Sequence, residues 1–296
     1  MAIAQYIGRF APSPTGPMHF GTLIAAVGSY LQAKTNQGQW LIRMEDVDTT
    51  RVVEDSDTQL LNSLEAFGFE WDSEVIYQTT RNVLYSDALE RLNQQHLIYP
   101  CTCSRKHLAS HVDYKKTGVY PGTCREQSLP FQGEHALRLK VSNTNIRFDD
   151  MIMGPQQENL ATECGDFVIK RKEGLFAYQL AAVVDDASQG ITEIVRGADL
   201  LDSTARQIYL QQLLGYKTPT YIHLPLALGD DGNKLSKQSE SRAIDNNHPT
   251  LALVDALSHL GQQPPESLKN HPLDDIWTWA IQHWDIKTIP QQNKRV

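Results

Sequence analysis

The apolar positions come in short runs separated by longer mixed stretches. Tyr6–Phe10, reading YIGRF, has the apolar content of a short strand, and GQWLIRMED (Gly38–Asp46) has that of a second. Between them MHFGTLIAAVGSYLQAKTN (Met18–Asn36) is rich in small and apolar residues, which predicts a helix. Two further helical segments are expected, roughly over 55–67 and 80–95, with EVIYQ (Glu74–Gln78) as a strand between them. Strand–helix alternation of this kind predicts βαβ units on a parallel sheet.

The pattern changes near Tyr99. YPCTCSRKHLASHVDYKKTGVYPGTCREQ carries cysteines, basic residues and Pro/Gly turns. HALRLKVSNTNIRFDDMIMG then alternates as antiparallel strands do, and the stretch from Gly165 to Leu201 returns to buried strands and a helix. STARQIYLQQLLGY reads as an amphipathic helix. YIHLPLALGDDGNKLSKQSESRAI reads as a strand, a polar turn and a lysine-bearing loop, and His248–Val296 as one or two small helices with a polar tail.

Length and charge narrow the function. A chain of 296 residues makes one large or two modest domains, and 41% hydrophobic content supports a packed core. The net charge of -8 argues against a generally basic nucleic-acid coat, although a local basic groove is compatible with it. No stretch approaches the length of a membrane-spanning helix, and the N-terminus lacks the features of a secretory signal, so a cytoplasmic protein without membrane partners is expected. There are four cysteines. Cys101, Cys103 and Cys124 cluster, whereas Cys164 stands apart and reads as a core residue. In a reducing compartment such a cluster suits a metal better than disulfides.

Two stretches carry candidate chemistry. RFAPSPTGPMHFGT leads a strand through a Pro/Gly loop into a helix N-terminus, where backbone N–H groups and the helix dipole favour an anion. Gly16 and Gly21 allow close approach of phosphates, and His19 can donate to one. On its own His19 reads sooner as a solvent-facing residue at a capped helix. GNKLSKQ (Gly232–Gln238) places two lysines on a polar loop, able to neutralise charge developing on a triphosphate, or simply solvated.

Taken together, the His19-bearing HFGT and the late KLSK resemble the two signature motifs of class I aminoacyl-tRNA synthetases. RFAPSPTGPMHFGT, LIRMEDVDTTR and VVDDASQGITEIVRGADLLDSTARQIYLQQLLG are similar to the catalytic domain of glutamyl-tRNA synthetases, over most of Tyr6 to about Ile244. About fifty residues follow the lysine loop, too few for a helical anticodon-binding region. A truncated chain of this kind with a cysteine cluster resembles the glutamyl-Q tRNA(Asp) synthetase family. Two positions depart from the general motifs: Thr22 stands where class I enzymes have a second histidine, and Gln238 where they have serine.

The resemblance implies activation of L-glutamate with ATP, independently of tRNA, and transfer of the glutamyl group to queuosine at the wobble position of tRNA(Asp). It places the amino acid against Arg9, Phe10, Ala11, Pro12, Ser13, Glu45, Tyr178 and Arg196. ATP falls to His19, Gly21, Thr22, Lys234 and Lys237, with His19 and Lys237 catalytic and Mg2+ accompanying the nucleotide. The chemistry agrees, since arginine suits a carboxylate and an acid suits an ammonium group. Asp46 and Asp48 are expected to be structural; Asp185 and Asp186 either line the pocket or cap a turn.

Three thiolates at the spacing of Cys101, Cys103 and Cys124 suit one structural, tetrahedral Zn2+. By residue chemistry His107 or His111 would complete the set; the resemblance points to Tyr120. Arg105, Lys106, Lys115, Lys116 and Arg125 are candidate tRNA phosphate contacts or a solvated basic surface. The expected architecture is α/β: a Rossmann-like parallel sheet over 1–98 and 185–245, a zinc-bearing insertion over 99–184, and a short helical segment over 246–296 with no anticodon-binding domain. A monomer is expected. The competing functions are 3′-end charging by a minimal glutamyl-tRNA synthetase, a catalytically silent tRNA-binding paralogue, and another small nucleotidyltransferase.

Overall fold

A computed structural model describes residues 5–228 and 243–295 of the chain. The loop carrying Lys234 and Lys237 lies outside the described residues. Strand β1 (Ile7–Phe10) leads through the Pro/Gly loop into helix α1 (Phe20–Thr35), which returns the chain to β2 (Gln39–Met44). Strands β1 and β2 pair in parallel, as a βαβ unit requires. Helix α1 is buried on almost every side, which its small and apolar residues permit. Its Gly28 is a contact point: a Cβ there would come within 2.5 Å of Leu224 Cδ1.

Helix α2 (Ser56–Ala66) precedes β3 (Ile76–Tyr77), which pairs in parallel with β2 at the edge of the sheet. This strand is shorter than EVIYQ suggested. Gln78 leaves it to start a 3-10 turn, and its buried amide donates to Asp185 Oδ2 at 2.8 Å. Helix α3 (Asn82–Gln94) follows.

Strand β4 (Ile98–Cys101), short helices α4 (Arg105–Ser110) and α5 (Val112–Thr117), and strands β5 (Ala136–Leu139), β6 (Asn145–Asp150) and β7 (Gly154–Asn159) come next. The chain continues through α6 (Leu160–Glu163) to β8 (Phe167–Lys170). Strands β4, β5 and β8 form an antiparallel sheet. The alternation over 135–154 does produce strands, but β5 and β6 belong to different sheets. Strand β6 makes a hairpin with β7 and joins a parallel sheet instead.

That second sheet is completed by α7 (Tyr178–Ser188), β9 (Glu193–Gly197), α8 (Leu201–Leu214) and β10 (Thr220–Leu224), in the order β7-β6-β10-β9. Strand β9 lies beside β1. At their amino ends the Thr192 N–H donates to the Ile7 carbonyl, and the Ile7 N–H to Thr192 Oγ1, each at 2.9 Å. The two parallel halves therefore meet at β1 and β9, the place where strand order reverses. Such a switch point opens a crevice at the carboxyl ends of the strands. The architecture is the expected Rossmann-like α/β arrangement.

After β11 (Ala227–Leu228), helices α9 (Pro249–His259) and α10 (Leu273–His283) pack against α1, and β12 (Lys294–Arg295) pairs with β11. Leu253, Leu257, Ile276 and Trp277 share one core with Trp40 and Phe69. The described C-terminal residues are thus part of the catalytic body and not a separate domain. No described helix is long and apolar enough to cross a membrane.

Candidate active site

The crevice at the switch point encloses about 210 Å3. Its walls come from the carboxyl ends of β1, β9 and β10 and from the first turn of α1. Arg9, Phe10, Ala11, Pro12, His19, Gly21, Thr22, Glu45, Tyr178 and Arg196 all line it. Residues as far apart in sequence as Arg9 and Ala227 thus face one space. Ser13 is exposed and outside the lining. The reason is local: the Pro12 carbonyl accepts the Glu45 N–H at 2.9 Å, and the chain then turns outward, with the Thr15 N–H on the Ser13 carbonyl at 2.8 Å.

His19 is the N-cap of α1. Its Nδ1 accepts the Thr22 N–H at 3.3 Å, and its Nε2 lies 3.0 Å from Thr22 Oγ1. Since Nδ1 accepts, the neutral ring carries its proton on Nε2. An anion entering here meets this N-terminus, with Gly21 close by.

The two arginines are held by different networks. Arg9 donates from Nε to Asp186 Oδ1 at 3.1 Å and from Nη1 to the Val195 carbonyl at 3.4 Å. Its Nη2 makes no hydrogen bond to a described residue, so it is available to a ligand. Arg43, fully buried, donates from Nη1 to the same Asp186 oxygen at 2.8 Å and from Nη2 to Glu45 Oε1 at 3.4 Å. Burial alone would raise the Asp186 carboxyl, but Arg43 and Arg9 outweigh it and hold it below the ordinary carboxylate range. Burial wins at Glu45, whose pKa is raised despite Arg43 and Arg9. Asp185 accepts from Gln78, Tyr85 and Arg81 at 2.6 to 2.8 Å. Of the two readings left open for this pair, neither is met: both are buried acceptors behind the crevice.

Arg196 hydrogen-bonds to four described residues besides Tyr178. It donates to His223 Nε2 at 3.0 Å, Gln207 Oε1 at 2.7 Å, Thr204 Oγ1 at 2.8 Å and the Leu200 carbonyl at 3.3 Å. The contact from Nη1 to the Tyr178 hydroxyl is long, at 3.4 Å. Burial raises the Tyr178 pKa, so the phenol is a neutral donor. Asp46 accepts from Thr79 Oγ1 at 2.5 Å and Asp48 from Arg171 at 2.9 Å, both structural as expected. Arg43, Gln207 and His223 were not singled out from the sequence. Their only signal there is charge or polarity inside runs that otherwise read as buried strand and helix.

The thiols of Cys101, Cys103 and Cys124 lie within 4.8 Å of one another, and could together hold a metal ion. The Tyr120 hydroxyl reaches into the same group, 3.4 Å from Cys101 Sγ and 3.7 Å from Cys103 Sγ, and accepts the Cys124 N–H at 3.0 Å. Burial pushes the Cys103 thiol up to about 11. It acts the same way on Cys124, but hydrogen bonds from Thr102 and Tyr120 prevail and hold that thiol at about 7. His107, exposed, and His111, half-buried, the alternative ligands, face each other with their Nε2 atoms 3.2 Å apart. Arg138 stacks 3.7 Å above the Tyr120 ring and donates to Cys101 Sγ at 3.2 Å.

A split parallel sheet whose crevice is lined by a helix N-terminus, two arginines and a buried acid agrees with a class I aminoacyl-tRNA synthetase catalytic domain, an enzyme of the ligase class. The family model for tRNA synthetases class I (E and Q), catalytic domain, matches residues 7–272. The chain is 50% identical to the glutamyl-Q tRNA(Asp) synthetase of Aromatoleum aromaticum, over 98% of its own length and 92% of the relative's. It is likewise 50% identical to that of Dechloromonas aromatica, over 98% and 97%. Among solved structures, the glutamate-tRNA synthetase of Elizabethkingia anophelis superposes with a TM-score of 0.81 at 25% identity, covering 99% of this chain and 68% of that one. The chain belongs to the glutamyl-Q tRNA(Asp) synthetase family of class I synthetases.

Proposed function

We propose that this chain activates L-glutamate with ATP, without tRNA, and transfers the glutamyl group to queuosine at the wobble position of tRNA(Asp). The observation that carries this is half identity, over nearly the whole of both chains, to relatives bearing that name. The crevice supplies a chemistry that agrees. Arg9 and Arg196 meet the carboxylates of glutamate, Tyr178 adds a hydroxyl, and Glu45 meets the ammonium group. The α-carboxylate oxygen attacks the α-phosphorus in line and pyrophosphate leaves. His19, Gly21 and Thr22 lie at the phosphates, and Lys234 and Lys237 are assigned to neutralise their charge. Mg2+ accompanies ATP and offsets phosphate charge. Cys101, Cys103, Cys124 and Tyr120 hold a structural zinc that orders the insertion. The site of action is the cytoplasm.

Labelled glutamate and ATP, given with two tRNA pools that contain or lack queuosine, test the acceptor. Label confined to the queuosine pool is expected. Equal label in both returns the protein to 3′-end charging. For the ATP site, Lys237→Ala is expected to abolish glutamate-dependent ATP–pyrophosphate exchange and leave the fold intact; unchanged exchange would remove that lysine from the mechanism.

A further inference from the structure

A fully buried histidine stands behind Arg196. His223, on β10, is wholly inaccessible, and Asp150, at the end of β6, is 3% exposed. Asp150 Oδ2 lies 2.7 Å from His223 Nδ1 and also accepts the His223 N–H at 3.1 Å. Its other oxygen accepts the N–H groups of Ile152 at 3.0 Å and Met153 at 2.8 Å. An ionised carboxylate so engaged only accepts, so the imidazole proton sits on Nδ1. Nε2 is therefore a lone pair, and it takes the Nε–H of Arg196 at 3.0 Å.

We infer that Asp150 and His223 are positioning residues for the amino-acid site: the carboxylate sets the imidazole tautomer, and the tautomer sets the plane of the Arg196 guanidinium. Gln207 and Thr204 complete that orientation from α8. The arrangement holds Nε, Nη2 and one hydrogen of Nη1, which donates to Gln207 Oε1 at 2.7 Å, on fixed acceptors, and leaves the second hydrogen of Nη1, with its long contact to Tyr178, toward the crevice. Nothing in the local sequence joins these residues. Asp150 and His223 are 73 positions apart, and the parallel register of β6 and β10 brings them together. The inference rests on the proposal that Arg196 binds a glutamate carboxylate.

Asp150→Asn is the sharpest test because it keeps the shape. Its oxygen retains the Ile152 and Met153 N–H groups, while its amide gives up the His223 N–H, donates to Nδ1 and drives the ring proton to Nε2, against the Arg196 Nε–H. A lost hydrogen bond to a charged group corresponds to about tenfold or more in affinity. In pyrophosphate exchange the KM for glutamate is expected to rise by about that factor while the KM for ATP stays within about twofold. His223→Gln, whose amide can donate to Asp150 and accept from Arg196, should remain near wild type, and His223→Leu should behave like Asp150→Asn. Nitrogen NMR of the wild-type imidazole needs no variant and should show Nδ1–H.

A wild-type Nε2–H tautomer, an unchanged glutamate KM in folded Asp150→Asn, or equal rises in both KM values would overturn the inference. Absence of glutamate-dependent exchange in the wild type would instead remove the proposed function, and the substrate role of these residues with it. The tautomer would still report whether Asp150 controls His223.

Discussion

Asp186 is where burial and charge compete most directly. It is the shared acceptor for Arg9 and Arg43, all three nearly excluded from water. Removing one partner of a buried ionic group costs about 3–5 kcal/mol, because the remaining charge keeps its desolvation without its compensation. Asp186→Asn is expected to destabilise by about that amount at neutral pH. Its folded pKa lies below the unfolded value of about 4, so the stabilisation is complete above that pH and is lost as pH falls further. Urea unfolding of wild type and variant should converge below about pH 4; a constant gap would assign the loss to packing. Glu45 behaves in the opposite sense. Its raised pKa means that it loses its charge, and with it the attraction for an ammonium group, at a higher pH than the ordinary 4.5. Glutamate KM should therefore climb on the acid side above that value, and Glu45→Gln should give a high KM that is flat across the same range.

Among the elements, the cysteine-bearing insertion has the least apolar support. Its cluster consists of Tyr99, Leu108, Tyr120 and two of the cysteines, with few partners around it. Such a small core rarely orders itself without a staple. Metal removal by a chelator is therefore expected to expose 99–127 to limited proteolysis while glutamate activation survives. Zinc analysis of the untreated protein checks the other side: substoichiometric metal with full protection would show that the insertion folds without it. Helix α1 is limited in the opposite way, by excess contact. At Gly28 any side chain must displace Leu224, a residue that also lines the crevice. Gly28→Val is expected to cost about 1–3 kcal/mol by overpacking and to weaken substrate binding, read as a lower Tm together with a higher glutamate KM.

At the scale of the molecule, the C-terminal helices are continuous with the catalytic core. Trp277 contacts the rings of Tyr30 and Phe69 with centroids 4.8 and 5.0 Å away, and its indole N–H donates to the Phe67 carbonyl at 2.9 Å. Trp284 reaches Gln32 on α1 at 2.8 Å. Trp277→Ala is expected to cost about 3–5 kcal/mol and to lower one shared unfolding transition. A separate early transition for the C-terminal helices, with the catalytic body unaffected, would contradict a shared core.

What the sequence by itself determined was the set of elements and the chemistry they carry. The βαβ start, the Pro/Gly loop before α1 and the thiol cluster follow from local pattern and residue type, which need no distant partner. Strand partners were not legible in this way. The alternation over 135–154 announces strands, yet only tertiary packing sends β5 to an antiparallel sheet and β6 to β10. The same packing made Ser13 an outsider to the crevice and Tyr120, not His107 or His111, the neighbour of the three thiols. It also turned Asp186, Asp150 and His223 into the supports of three arginines, Arg9, Arg43 and Arg196. A buried charged or polar group is stable only beside its partners, and here those partners arrive from strands and helices 27 to 177 positions away, where no local pattern reaches.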